Sequence, residues 1–206
     1  MHEIIILADG EFPTHAIPLG KLRHAPMIVC CDGAAGKLLS HNITPDLIVG
    51  DMDSLDLSLR QKYNDIIIQS SCQQTNDLTK AFNHSLTLNP SRITILGATG
   101  LREDHTLGNI SLLWDYSLMS SVKIEMWTNS GRFIPVNSGG IFYASKGSQI
   151  SLFTLDCNLK IKSAGLKYPL DDVVFDNWWR ATLNECLGDT FELIFDRGRA
   201  LLFITY

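Results

Sequence analysis

The sequence predicts an α/β protein: an N-terminal doubly wound, mainly parallel sheet followed by a small C-terminal antiparallel β-sandwich. Three observations carry this. Up to about residue 120, short runs rich in Ile and Val recur at Ile4 to Ala8, Met27 to Cys31, Leu47 to Val49, Ile66 to Ile68 and Ile93 to Leu96. They are too uniformly apolar for a sheet with one wet face, so both faces are covered. Between them lie helix-compatible stretches at Ala34 to His41, Leu55 to Tyr63, Asp77 to Leu88 and His105 to Leu118. In the last two, apolar residues recur at three- and four-residue spacing, as crossover helices require.

After about residue 122 the pattern changes to strand-length segments separated by turn residues. The segments are Lys123 to Thr128, Gly140 to Ala144, Gln149 to Thr154, Phe191 to Phe195 and Ala200 to Thr205, with turns such as Asn137-Ser138-Gly139-Gly140 and Asp196-Arg197-Gly198. The expected domains are therefore residues 1–121 and 122–206. With no Pro- or Ser-rich linker and no internal repeat, direct packing of the two is expected.

Composition narrows the partners. The chain has 206 residues, of which 45% are hydrophobic, enough for one full core or two small ones. Its formal net charge is −5, which repels nucleic acid and anionic membranes. A bound polyanion must then be held by a local site or a metal. No apolar run approaches the roughly 20 residues of a spanning helix, and no secretory leader is recognisable, so a soluble, cytoplasmic protein is expected. Five cysteines without Cys-x-x-Cys spacing suggest free thiols rather than a disulfide framework or zinc site.

In an open α/β sheet, ligands collect beyond the carboxyl ends of the strands. There this sequence places Asp32-Gly33, then Asp51-Met52-Asp53-Ser54, then Asn76-Asp77, then Gly97 through Gly100, Arg102, Asp104 and His105. Asp51 and Asp53 point the same way if their segment is extended, and two close carboxylates repel unless a cation or proton lies between them. Hard oxygen ligands suit Mg²⁺, which shares its coordination shell with substrate phosphates. Asp77 is either a third ligand or a helix cap. The loop carrying Arg102 opens a helix, whose first amides and macrodipole attract phosphate while the guanidinium adds a planar fork. It matches neither the P-loop nor the dinucleotide fingerprint. His105 and Asn109, four apart, share a helix face, and Lys80 is a candidate phosphate ligand one turn after Asp77.

These segments, in this order, resemble the thiamine pyrophosphokinase family. The resemblance rests on Cys31 to Ala35, Pro45 to Ser54, Thr75 to Ala81 and Gly97 through Asn109, and more thinly on Gly165 to Leu170. It implies Mg²⁺-dependent transfer of a pyrophosphoryl group from ATP to thiamine, giving thiamine diphosphate and AMP. By this resemblance Asp51, Asp53 and Asp77 form the catalytic and metal set, with Asp46 nearby in the same cluster. ATP is expected to contact Asp32, Gly33, Ser54, Lys80, Arg102, Asp104, His105 and Asn109. Thiamine is expected at Asp46, Thr182, Asn184 and Phe203, in a two-fold dimer whose sites are shared between subunits. The sequence departs from the family at Ala34, where a second glycine is common, at Gln73 and Gln74, where an acidic residue is common, and at Leu183, which replaces a serine. A different Mg²⁺-dependent nucleotide hydrolase or pyrophosphokinase, and a non-catalytic thiamine- or nucleotide-binding protein, remain as alternatives.

Overall fold

A computed structural model describes residues 3–72 and 74–206, and Gln73 lies outside the described residues. The chain forms two compact units, one of residues up to Leu112 with Ser121–Asn129, the other of Leu113–Ser120 with Ser130–Tyr206.

The first unit holds strands β1 (Glu3–Leu7), β2 (Ile28–Cys31), β3 (Leu47–Gly50), β4 (Ile67–Gln69), β5 (Arg92–Leu96) and β6 (Lys123–Trp127). They lie in the order β6-β5-β1-β2-β3-β4, and every neighbouring pair is parallel. The helices are α1 (Ala16–Arg23), α2 (Asp32–Ser40), α3 (Leu57–Lys62), α4 (Asp77–Thr87) and α5 (Glu103–Met119). On one sheet face Ile5, Leu7, Ile28, Cys30 and Ile48 pack with Ala34, Ala35 and Leu38 of α2. Side chains alternate along a strand, so Ile4, Ile6, Val29 and Val49 point to the opposite face, and all four are buried. Helix α4 packs on β1, β2 and β3 with Leu78, Ala81 and Phe82 buried. The sheet is thus covered on both sides, as its uniformly apolar runs require.

Two details of this unit differ from expectation. Lys123–Trp127, assigned by pattern to the antiparallel part, pairs in parallel with β5 from Arg92↔Lys123 to Leu96↔Trp127. Its alternation arises because Lys123 is exposed and Glu125 is paired with Arg92 at 3.4 Å, which mimics a half-wet antiparallel strand. Helix α1 was hidden by Pro18 and Gly20. A proline in the first turn gives up an N–H that has no intrahelical partner anyway, and His15 caps the helix by accepting from Ile17 N.

The second unit contains β7 (Gly131–Val136), β8 (Gly140–Tyr143), β9 (Gln149–Thr154), β10 (Lys162–Ala164), β11 (Asn184–Glu185), β12 (Thr190–Ile194) and β13 (Ala200–Thr205). Its strands run β11-β9-β13-β7 and β10-β12-β8, and all these pairs are antiparallel. Ile150, Leu152, Ala200, Leu202 and Ile204 from the first set meet Phe191 and Leu193 from the second in one buried cluster, the core of a sandwich. Strand β7 escaped the sequence reading because Pro135 interrupts it. Among the described residues no helix is long and apolar enough to cross a membrane.

Candidate functional site

Strand order in the first unit reverses at β1 and β5, because β1 to β4 run outward in one direction and β5 and β6 in the other. Loops leaving the carboxyl ends on either side of such a switch point diverge and open a crevice. A cleft of about 380 Å³ lies there. Its walls are Ala8 to Gly10 after β1, Asp32 and Gly33 opening α2, Ser54 after β3, Asn76 to Leu78 opening α4, Ala98, Thr99, Leu101 and Arg102 after β5, and His105, Thr106 and Asn109 of α5. Three helices therefore present their first turns, with the positive ends of their macrodipoles, to one space.

The loops are locked by backbone and amide bonds. Gly10 N donates to Gly97 O at 2.6 Å and Glu11 N to Thr99 O at 2.8 Å. Gly97 adopts φ +64°, and a Cβ there would lie 2.6 Å from Ala8 O, so only glycine fits this turn. Asn109 is engaged twice, donating to Ala98 O at 2.8 Å and accepting from Asn76 Nδ2 at 3.3 Å. Asn76 also accepts from Thr79 N and is the cap of α4. Capping of α4 thus belongs to Asn76, while the Asp77 carboxylate lines the cleft and accepts from Lys80.

Asp32, Asp51 and Asp53 each bring an oxygen within 4.8 Å of the others. The convergence of Asp51 and Asp53 does not come from an extended segment. Met52 between them has φ +72°, a left-handed conformation that costs a non-glycine residue on the order of 1 kcal/mol, and its N–H donates to Asp32 Oδ2 at 2.9 Å. The turn gathers three carboxylates where a strand would have aligned two. Asp32, assigned from sequence only to nucleotide contact, is thus also a member of the acidic group. No local signal ties it to residues twenty positions on; only the adjacency of β2 and β3 does.

Lys80 is buried, and its Nζ donates to Asp51 Oδ2 at 3.0 Å and Asp77 Oδ1 at 2.8 Å. Burial works against its charge, but the hydrogen bonds it donates to Asp77 and Asp51 prevail and hold it above the ordinary lysine value. The same hydrogen bond is the main cause that holds Asp51 below the usual carboxylate range. Asp32 moves the other way: burial, then the nearby Asp77 charge, raises it despite amide donors from Gly33 and Met52. Four carboxylates against one ammonium leave negative charge uncompensated, and converging hard oxygens suit a divalent cation of the Mg²⁺ type.

Arg102 and Asp104 are exposed, and the guanidinium grips Asp104 through Nε and Nη2 together. Asp104 does not line the cleft; it orients Arg102, which does. Asp46 is corrected: it precedes β3, whereas Asp51 follows it, so the two stand at opposite ends of the strand. Its carboxylate accepts from Ile28 N at 2.7 Å and fixes the start of β2.

In the second unit, Asn184 is buried and its amide both accepts from Tyr168 N at 3.0 Å and donates to Tyr168 O at 2.6 Å. It pins the Gly165 to Leu170 segment. Thr182 Oγ1 donates to Trp179 O at 2.8 Å, closing a 3₁₀ turn. Phe203 stands outside the buried sandwich cluster and packs on Phe133, ring centroids 4.5 Å apart. Leu183 is 66% exposed with φ +59°.

Comparison with known proteins gives a consistent answer. Residues 20–126 match the family profile described as thiamin pyrophosphokinase, catalytic domain, and residues 131–203 the one described as thiamin pyrophosphokinase, substrate-binding domain. The thiamine pyrophosphokinase of Bacillus subtilis is 29% identical over 96% of this chain and 92% of its own length. Thiamine pyrophosphokinase 2 of Arabidopsis thaliana is 31% identical over 45% of this chain and 44% of its own. Among solved structures, the Bacillus subtilis protein superposes with a TM-score of 0.82 at 22% identity, covering 98% of both chains. The yeast thiamin pyrophosphokinase does so at 0.78 and 18%, covering 99% of this chain and 86% of its own. With both profiles matched in order across most of its length, the chain belongs to the thiamine pyrophosphokinase family.

Proposed function

We propose that the protein transfers the pyrophosphoryl group of ATP to the hydroxyethyl group of thiamine, yielding thiamine diphosphate and AMP. The observation that carries this reading is the switch-point cleft, where three helix N-termini meet and which is lined by Asp77 and by Asp32, a member of the converging carboxylate group. A polyphosphate needs donors and positive potential, and carboxylates beside it need a cation. Asp32, Asp51 and Asp53 would hold Mg²⁺, with Asp77 adjoining. Bound there, the ion would neutralise phosphate charge and orient the chain of phosphates. The thiamine oxygen forms a bond to the β-phosphorus as the bond from that phosphorus to the α–β bridging oxygen breaks, and AMP leaves with that oxygen. Reactions of this type depend on alignment and charge neutralisation more than on a covalent nucleophile. The amide of Leu78 and the Arg102 fork would orient the phosphates, with Ser54, His105 and Asn109 lining the same space. Lys80 acts from beneath by fixing Asp51 and Asp77. Asp77, which lines the cleft, would accept the hydroxyl proton late in the reaction.

For thiamine, Phe203 offers a ring outside the sandwich core and Thr182 a hydroxyl oxygen with accepting capacity. Asn184, whose amide is committed to Tyr168, supports that region from within. The working unit is a cytoplasmic two-fold dimer with sites shared between subunits, a reading supported by the family resemblance.

The test is to incubate the purified protein with ATP, Mg²⁺ and thiamine and to separate the products by chromatography. AMP and thiamine diphosphate in equal amounts are expected, with none after chelation by EDTA. AMP formed without thiamine would point to a hydrolase, and binding without turnover to a sensor. Light scattering at assay concentration should give the dimer mass; a monomer would end the shared-site reading. Within this function, Arg102→Lys is expected to raise the KM for ATP about tenfold, since an ammonium cannot reproduce a bidentate fork. A defect confined to thiamine would remove Arg102 from the phosphate site.

A further inference from the structure

We propose that Lys37 is a positioning residue for the nucleotide: from α2 it holds the loop after β1 in the shape that forms one wall of the cleft. Its ammonium donates to Asp9 O and Gly10 O, each at 3.0 Å, and is paired with Asp9 Oδ1 at 2.7 Å. An ammonium has three N–H groups, and all three are spent on two consecutive residues. Ala8, Asp9 and Gly10 line the cleft, while Lys37 itself does not.

The same loop is tied on its other side to the Gly97 and Thr99 carbonyls. One helical turn beyond Lys37, His41 stacks on Phe12, ring centroids 3.9 Å apart and planes 11° from parallel. Positions four apart share a helix face, so α2 grips the loop at two points. The first turn of α2 meanwhile supplies Asp32 and Gly33 to the same cleft. The helix thus carries part of the site at its N-terminus and fixes an opposing wall from its last turns.

Charge gives Lys37 a second effect through the same contact. The Asp9 carboxylate rests against the start of α2, where a Cβ on Gly33 would lie 2.6 Å from Asp9 Oδ2. An unpaired anion there would compete with phosphate for the amides and dipole of the helix. Lys37 neutralises it through the ion pair.

This inference rests on the proposed nucleotide site, so its test measures nucleotide binding directly as well as turnover. Isothermal titration with ATP and Mg²⁺, without thiamine, is compared for the wild type and for Lys37→Met, Lys37→Gln and Lys37→Arg. The two neutral variants are expected to weaken binding and to raise the KM for ATP about tenfold. Turnover at saturation should stay within about threefold and the KM for thiamine should not move. The half-exposed ion pair contributes little to stability, so Tm should fall by no more than a few degrees. Lys37→Arg, which keeps the charge and the reach to the carbonyls, should restore most of the affinity. If one neutral variant fails to fold, the other and the Arg variant still decide. Unchanged affinity in a folded neutral variant would overturn the proposal, as would an Arg variant no better than Met, or a loss falling on thiamine. A wild type that binds ATP but makes no thiamine diphosphate would refute the transferase reading and leave the Lys37 comparison standing; one that binds no ATP would refute both.

Discussion

Asp53→Asn is expected to slow turnover about a thousandfold, a loss of about 4 kcal/mol in transition-state stabilisation, while leaving the fold intact. Asp53 is exposed, and its described side-chain partner is the neighbouring Ser54 hydroxyl at 3.0 Å. Its removal therefore breaks no buried contact. What changes is the donor set: an amide oxygen replaces a carboxylate in a group whose oxygens lie within 4.8 Å of one another. Asp51→Asn should lose turnover to a similar degree but with a lower Tm, because it also breaks the bond to Lys80. The pair of variants thus separates metal binding from folding. Turnover measured across a Mg²⁺ titration, with Tm recorded in parallel, is the check. A folded Asp53→Asn protein with near-normal turnover at saturating Mg²⁺ would remove Asp53 from the metal set.

Much of the first unit was legible because parallel strands covered on both faces have no polar positions to confuse the pattern. Val29, Ile48 and Ile93 could stand only in such a sheet, and the residues after each run marked the cleft. The elements that escaped were those whose local chemistry argues against their conformation. Pro18 and Gly20 disguise α1, and Pro135 disguises β7. The strand at Lys123–Trp127 was seen but misassigned, since Glu125 owes its place to Arg92 on the neighbouring strand, which no single segment reveals.

The site was legible in its residue types and less so in its geometry. Asp51 and Asp53 were paired for a strand-like reason, whereas a left-handed Met52 brings them together with Asp32. Asp46 is five residues from Asp51 in sequence but a whole strand away, because β3 runs between them. Lys80 has a side chain only 4% exposed, and it serves the carboxylates rather than the phosphates directly. Each of these depends on which strands are neighbours, and that information is tertiary.

Lys80→Met is expected to lower stability by about 3 kcal/mol at neutral pH without divalent cation, since removing one partner of a buried ion pair leaves the other uncompensated. For a chain of this length that corresponds to roughly 10 °C in Tm. The effect should depend on pH with a defined sign. The hydrogen bonds that Lys80 donates to Asp77 and Asp51 hold it above the usual lysine value, so its contribution is complete below about pH 10 and fades as pH rises through the elevated value. Asp51 is held below the usual carboxylate range, chiefly by Lys80, so its contribution is complete above about pH 4 and fades as pH falls through the depressed value. The gap between wild type and variant should therefore be full from about pH 5 to 9 and should close as pH falls below about 4. Mg²⁺ provides an independent check. Without the ammonium, Asp32, Asp51, Asp53 and Asp77 have no cation among them, so the ion should bind the variant's folded state more tightly and raise its Tm by more than that of the wild type. Thermal unfolding from pH 3 to 10, with EDTA and with Mg²⁺, reads both effects. A variant as stable as the wild type at pH 7 in EDTA, or a gap that does not change with pH, would show that Lys80 is a bystander to the carboxylates it touches.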